Sequence, residues 1–155
     1  MVDTLETYYD PQLVAGAIPP ALNATDTDGK PVSLADFKGK VVLMDYWATW
    51  CAPCLGEMPT IVAAYKKYHV KGLEIVGVSL DDATTRDKIS AVMKKNNMTW
   101  RQVCDGKGFE SPLAKLYAVG AIPFTLLIGR DGKIEAVSVR GEKLDAAVKA
   151  ALAKK

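Results

Sequence analysis

The sequence predicts an α/β fold in which a mixed central sheet carries helices on both faces. Two apolar runs, at 41–47 and 75–80, lack the alternation of half-buried strands and are typical of strands covered on both sides. A helical pattern lies between them, so the two strands are expected to be parallel. Near the C-terminus, two strand candidates flank Asp131-Gly132, a hairpin signal that adds antiparallel strands. The predicted order is a hairpin followed by β-α-β-α-β-α-β-β-α.

The N-terminal part divides into two segments. Residues 1–18 lack clear periodicity and are predicted to form an extension, whereas residues 19–155 are predicted to form the domain. The domain is expected to begin with a β-hairpin, because two short strand candidates flank the turn dipeptide Asp28-Gly29. These candidates are Ala21–Thr25 and Pro31–Leu34.

Helices are predicted after each of the central strands. The first is expected at Leu55–Tyr68, with a kink at Pro59, which removes one backbone donor. Asp81-Asp82 is expected to cap a second helix at 84–96, and Ser111-Pro112 to begin a third. The remaining elements are strand candidates at Arg101–Cys104, Phe124–Ile128 and Lys133–Val139, and a final helix with Leu144, Val148, Ala151 and Leu152 on one face.

The composition is that of an ordinary globular domain. A length of 155 residues predicts one domain. With 49% hydrophobic and 25% charged residues, the chain can form a core that needs no stabilising disulfides or metal. A net charge of +2 gives no reason to expect nucleic acid or an anionic membrane as a partner, and we expect a monomer. Three cysteines are too few for a disulfide scaffold, so each must be judged by its position.

The chain shows no targeting segment. No run approaches the ~20 apolar residues that a spanning helix needs. The first ten residues are acidic and lack the apolar stretch of a signal peptide. Two explanations stay open: the protein is cytoplasmic, or a targeting segment that preceded this chain has been removed.

The strongest local feature is a pair of cysteines at a predicted strand-to-helix corner, directly behind Trp50. A helix N-terminus offers unpaired N–H groups and partial positive charge, which favour a thiolate over a thiol. The pair therefore indicates redox chemistry. A structural disulfide or half of a zinc site is the alternative, but zinc normally takes four ligands, and the chain has only Cys104 and His69 besides. The run is Cys51-Ala52-Pro53-Cys54.

The run 47–54, between a strand and a helix that contains a proline, resembles the thioredoxin superfamily. The resemblance is closest to the extracytoplasmic thiol–disulfide oxidoreductases of the TlpA/ResA type, and it covers about residues 18–152. Three further features match that type: the run at 28–40, the acidic Glu57, and the loop around Pro123. The resemblance implies a thioredoxin-like domain that needs no cofactor and no metal.

The resemblance also assigns roles to individual residues. Cys51, nearer the helix end and more exposed, is expected to be the attacking thiolate, and Cys54 to resolve the mixed disulfide. Asp45 or Glu57 is expected to take the proton from Cys54. The Ile122-Pro123 bond is expected to be cis. The expected contacts to a substrate are Trp50, Ala52, Pro53 and Ile122.

Two residues depart from the TlpA/ResA pattern. Asp45, six residues before Cys51, occupies the place of the buried aspartate of thioredoxin, where the TlpA/ResA type often has a neutral residue. Ala52 lies between the cysteines, where relatives carry various residues that influence the redox potential. Trp47 and Trp50 are expected to lie half in the core and half at the rim of the site.

These features predict a thiol–disulfide oxidoreductase that reduces protein disulfides outside the cytoplasm, with a role in cytochrome c maturation. Its expected partners are protein disulfides and a membrane or periplasmic electron donor, and the full-length protein is expected to be extracytoplasmic and membrane-anchored. A general cytoplasmic thioredoxin remains the alternative. A copper metallochaperone would space its cysteines by three residues and add a distant histidine. A peroxide-reducing relative would need a threonine at Ala48 and a proline at Met44.

Two residues are expected to stand outside the chemistry. Cys104 is predicted to be a small buried apolar residue rather than a reactive thiol. His69 is predicted to be a solvated side chain at a helix end.

Overall fold

The computed structural model describes residues 13–154. Within this range the chain forms a two-stranded hairpin, a five-stranded sheet and four α-helices. The strands are β1 (Asn23–Thr25), β2 (Pro31–Ser33), β3 (Val41–Trp47), β4 (Leu73–Ser79), β5 (Arg101–Val103), β6 (Phe124–Ile128) and β7 (Ile134–Val137). The helices are α1 (Ala52–Tyr68), α2 (Ile89–Lys95), α3 (Pro112–Leu116) and α4 (Glu142–Ala153), with 3-10 turns at Leu34–Phe37, His69–Lys71, Arg86–Lys88 and Gly108–Glu110.

The main sheet has the order β5-β4-β3-β6-β7 and mixes both pairing directions. β3 runs parallel to β4, and β4 parallel to β5, because a helical crossover returns the chain each time. β6 pairs antiparallel with β3, and β7 antiparallel with β6 through the predicted hairpin. Every residue of the central strand β3 is buried. The predicted mixed sheet, its element order and the N-terminal hairpin are confirmed.

Helices cover the sheet on both faces, because side chains alternate along β3. Leu43 and Trp47 point to one face, where α1, α2 and α4 pack. Met44 and Tyr46 point to the other face, where α3 and the N-terminal hairpin pack. The sheet is therefore the middle layer of three, which fixes the C-terminal end of β3 against the start of α1.

Helix α1 begins earlier than the sequence predicts, at Ala52 rather than Leu55. Cys51 is its N-cap, with extended backbone angles of φ −92° and ψ 96°. Pro53 is tolerated in the first turn, because the backbone donor it lacks has no partner there in any helix. Pro59 lies within α1, which continues through it as one helix to Tyr68.

The predicted capping of a helix by Asp81-Asp82 is wrong. A 3-10 turn, Arg86–Lys88, leads into the short α2 instead. Asp82 accepts a hydrogen bond from the Thr84 N–H within a local turn. Asp81 does not cap because its buried carboxylate accepts hydrogen bonds from Thr49, across the top of the sheet.

The N-terminal segment reaches the outer strand of the sheet. Residues 1–12 of the predicted extension lie outside the described residues. Leu13 is buried, and Gly16 donates its N–H to the Ile134 carbonyl while Ile134 donates to the Ala17 carbonyl. Over residues 13–154, none of the helices combines the length and the apolar character that crossing a membrane requires.

Candidate active site

Cys51 and Cys54 lie where β3 gives way to α1, and they form a disulfide with a Cα–Cα distance of 5.3 Å. The Cys51 Sγ atom also accepts a hydrogen bond from the Cys54 N–H at 3.2 Å. Both residues are buried, with 5% of Cys51 and 1% of Cys54 exposed. Cys51 is thus the more accessible of the two, by a small margin.

The position of Cys51 favours its thiolate when the disulfide is reduced. As N-cap of a 17-residue helix, its sulfur lies at the positive end of the helix dipole. The Cys54 N–H that it accepts is one of the donors left unpaired at a helix start. Ala52 and Pro53, the residues between the cysteines, are exposed and uncharged, so a partner can approach this turn of the helix.

Asp45 is a buried carboxyl in the middle of β3, opposite Thr125 of β6. Its Oδ2 atom has no hydrogen-bond partner among residues 13–154. Desolvation, followed by the charge of Glu57, raises the pKa of Asp45 to about 7. A carboxyl with that pKa can hold or release a proton near neutral pH, which is what a general acid or base requires.

Glu57 lies one turn after Cys54 on α1 and is half-buried. Its Oε2 atom accepts the Gly141 N–H at 3.2 Å, just before α4. Glu57 and Asp45 line one small cavity together with Pro123. About 10 Å³ of it is open to the centre of a water molecule, which is room for about one water. The two carboxyls therefore border the same small space.

The loop before β6 carries the predicted cis proline. The Ile122-Pro123 peptide bond is cis. Ile122 is half-buried and packs against the apolar cluster that contains Cys51 and Cys54. The neighbouring Ala121 is exposed, so the loop presents backbone beside the dithiol.

The two tryptophans next to the dithiol have different environments. Trp50 is 53% exposed and lies at the rim of the site, as predicted. Trp47 is fully buried, and its indole Nε1–H donates to the Gln102 Oε1 at 2.8 Å. The prediction that Trp47 lies half at the rim is wrong, because its ring fills the core between β3 and α1.

Asp81 is a site residue that the sequence did not reveal. Its fully buried carboxylate accepts the backbone N–H and the hydroxyl of Thr49, two residues before Cys51, as well as the hydroxyl of Ser79. The network fixes the loop that leads from β3 to Cys51. In the sequence the Asp81-Asp82 pair has the pattern of a helix cap. Its role in holding the loop before Cys51 is visible only in the structure, where Thr49 lies against Asp81.

The other candidate residues lie outside this arrangement. Cys104 is buried, forms no disulfide, and directs its Sγ atom to the Asp81 carbonyl at 3.7 Å. His69 lies at the far end of α1, where Nδ1 is 3.2 Å from the Leu73 carbonyl. Across residues 13–154, no cluster of three or more His, Cys, Asp or Glu residues is placed to hold a metal.

Comparison with known proteins places these features in a family. The AhpC/TSA family matches residues 15–137. A thiol-disulfide oxidoreductase ResA from Bacillus thuringiensis subsp. konkukian is 37% identical over 124 residues, which cover 80% of this chain and 68% of that protein.

Solved structures agree. The thioredoxin domain of a thiol-disulfide oxidoreductase from Bacteroides vulgatus superposes with a TM-score of 0.79 at 33% identity, covering 89% of this chain and 97% of that one. A thiol:disulfide interchange protein from Bacteroides sp. gives a TM-score of 0.79 at 30% identity, covering 92% and 93%. With its cysteine pair at the N-terminus of α1, the chain belongs to the AhpC/TSA family and is a thioredoxin-fold thiol–disulfide oxidoreductase related to ResA.

Proposed function

We propose that this protein reduces disulfides of other proteins outside the cytoplasm, with Cys51 as the attacking residue. The observation that carries the proposal is the position of the Cys51 sulfur at the N-cap of α1, where it accepts the Cys54 N–H. A thiolate there is stabilised by that hydrogen bond and by the helix dipole. The half-exposed Trp50 and the exposed Ala52 and Pro53 surround the point of attack, together with the backbone of Ile122.

The first step forms a mixed disulfide. The Cys51 thiolate attacks one sulfur of the substrate disulfide, and the other substrate sulfur leaves as a thiolate. One S–S bond breaks and one forms, so the number of disulfide bonds in the complex of protein and substrate is unchanged. Backbone of the cis Ile122-Pro123 loop supports the substrate by strand-like pairing.

The second step releases the substrate. Cys54 passes its proton to the Asp45–Glu57 pair and attacks the Cys51 Sγ atom. The substrate sulfur leaves as a thiolate. It takes up the proton held by the carboxyl pair, and the thiolate released in the first step takes one from water, so the substrate becomes a dithiol and the protein a Cys51–Cys54 disulfide. Two electrons have moved from protein to substrate. A dithiol donor in the membrane or the periplasm then returns the protein to its reduced form.

Two carboxyls in the same part of the domain as the dithiol support the direction toward reduction. Asp45 and Glu57 line a shared cavity beside the Pro123 loop, to which Arg140 also contributes. A carboxylate near a dithiol opposes formation of a thiolate, so it stabilises the reduced, thiolate-bearing form less. Oxidants of this fold are strong because their reduced form is stabilised. The two carboxyls therefore oppose the stabilisation of the thiolate by the helix N-terminus, and this opposition favours a reductant.

The compartment and the substrate rest on the resemblance to extracytoplasmic oxidoreductases of the TlpA/ResA type. In that setting the leading substrate is apocytochrome c, whose paired haem-attachment cysteines must be reduced before haem is attached. We propose that the protein works as a monomer, anchored to the membrane in its full-length form.

Trapping of mixed disulfides tests the proposal. With Cys54→Ala, attack by Cys51 remains possible and release does not, so protein adducts that dithiothreitol removes should accumulate on Cys51. Cys51→Ala should trap almost nothing, since Cys54 is only 1% exposed. Cys104→Ser is the matched control and should behave as the parent. Equal adducts on the Cys51→Ala variant contradict the assigned roles, and a purely cytoplasmic set of partners contradicts the compartment.

A further inference from the structure

Two exposed aromatic rings lie together beside the dithiol. Trp50 is 53% exposed and Phe109 is 38% exposed. Their ring centroids are 6.4 Å apart, with the planes inclined by 49°. Phe109 comes from the 3-10 turn Gly108–Glu110, far from Trp50 in the sequence. We call these two side chains the aromatic surface.

A single residue holds both parts of the aromatic surface in place. The carboxylate of Asp81 accepts the N–H and the hydroxyl of Thr49, the residue before Trp50. The backbone carbonyl of Asp81 accepts the Gly108 N–H, from the residue before Phe109, at 3.4 Å. Because Asp81 is fully buried, both attachments are sheltered from water. The two rings are therefore positioned before any partner binds.

The aromatic surface is continuous with the surface around Cys51 and the first turns of α1, which a substrate must contact. Cys51 follows Trp50 directly and is only 5% exposed, so a partner sulfur can reach it only if the partner sits closely against this face. The exposed residues of the first turns of α1 are uncharged. They are Ala52, Pro53 and Gly56. Along this part of α1 a charged segment would lose its hydration without meeting an exposed charged partner, since Lys107 and Glu110 lie only beside Phe109. An apolar segment would instead bury surface with both rings.

We propose that Trp50 and Phe109 together bind an apolar or aromatic side chain that flanks the attacked cysteine of the substrate, and that Phe109 thereby selects substrates. The inference rests on the proposed function, since it concerns the partner of the same dithiol. Two inclined rings at this separation leave an edge and a face for a third ring, the arrangement that aromatic clusters prefer. The occupant is thus a segment of a protein substrate with an apolar residue beside its cysteine.

Peptide substrates test this inference. Two disulfide peptides that differ only in the residue next to the cysteine, Phe or Ser, are reduced by the parent, Phe109→Ala and Val70→Ala. Val70 is the matched control, because it is 85% exposed and follows α1 at the end remote from Cys51. Phe109→Ala should raise KM for the Phe peptide about five- to tenfold and leave kcat unchanged. KM for the Ser peptide, and the rate with a small linear disulfide such as 2-hydroxyethyl disulfide, should not change.

Rescue and alternative occupants complete the test. Phe109→Tyr keeps the ring and should restore the preference for the Phe peptide. Equal effects of Phe109→Ala on both peptides, or none, overturn the inference, as does a self-association that Phe109→Ala abolishes while peptide kinetics stay the same. A parent that reduces neither peptide overturns the proposed function itself, which is a different result from reduction without preference.

Discussion

Asp45 and Glu57 line one cavity with room for about one water, and the charge of Glu57 adds to burial in keeping the Asp45 carboxyl protonated. The two residues come from different elements, β3 and α1, and meet only because α1 packs on the face of the sheet to which Asp45 points. Because the pKa of Asp45 is raised, the stability of the protein should depend on pH.

The oxidised protein should lose stability as the pH rises from about 4 to about 7. The pKa of Asp45 is raised from 3.8 to about 7, so between these values the folded state binds more protons than the unfolded state. The carboxyl therefore costs nothing at low pH and most above pH 7. Asp45→Asn should remove this slope and be more stable at pH 8, by roughly 2–4 kcal/mol. Denaturant unfolding of both proteins at pH 4.5 and pH 8 measures it, and parallel pH curves would contradict it.

Glu57→Gln should change the pH dependence of thiol exchange and leave the fold intact. Gln keeps an oxygen that can accept the Gly141 N–H, but it removes the charge that raises the pKa of Asp45. Asp45 then ionises at lower pH, and the pH at which release from the mixed disulfide becomes fast should shift downward. The rate of release measured from pH 5 to pH 9 is the observable. Asp145→Asn, at an exposed ion pair with Lys67 in the last turn of α1, is the control. An unchanged profile would make Glu57 an ordinary surface residue.

Much of this fold could be predicted from the sequence, because apolar runs and turn dipeptides are local signals. The run at 41–47 has one physical interpretation, a strand buried on both faces, and β3 occupies it to the residue. The cysteine pair could be placed for the same reason, since a strand, two thiols and a helix follow one another directly along the chain.

Residues that act through distant neighbours could not be predicted in this way. Asp81 carries the local signature of a helix cap, yet its partner Thr49 lies on a loop 32 residues away in sequence. Phe109 lies in a polar stretch with no periodicity, and its place beside Trp50 depends on how the loop after β5 folds back. Trp47 looked like a rim residue because it lies near the cysteines, but alternation along β3 turns it into the core.

Asp81→Asn should destabilise the protein far more than Asp82→Asn. Asp81 is fully buried and accepts hydrogen bonds from Thr49 and Ser79 through both carboxylate oxygens. An amide in its place keeps one acceptor oxygen and turns its NH2 group toward groups that donated to the lost oxygen. Breaking a buried network of this kind costs roughly 2–4 kcal/mol. The side chain of Asp82 is exposed and accepts hydrogen bonds only within its own turn, so its change to Asn should cost about 0.5–1 kcal/mol. Urea unfolding of the oxidised proteins compares them, and equal losses would contradict the role of Asp81.

The reduction potential of the Cys51–Cys54 pair tests the central claim most directly. It is measured by equilibrating the protein with dithiothreitol buffers, in a Cys104→Ser background so that only the pair is titrated. A reductant of protein disulfides should have a potential near that of thioredoxin, about −270 mV. Thirty millivolts corresponds to about 1.4 kcal/mol for this two-electron couple, so the measurement separates the alternatives clearly. A potential near −120 mV, the region of strong oxidants, would contradict the account.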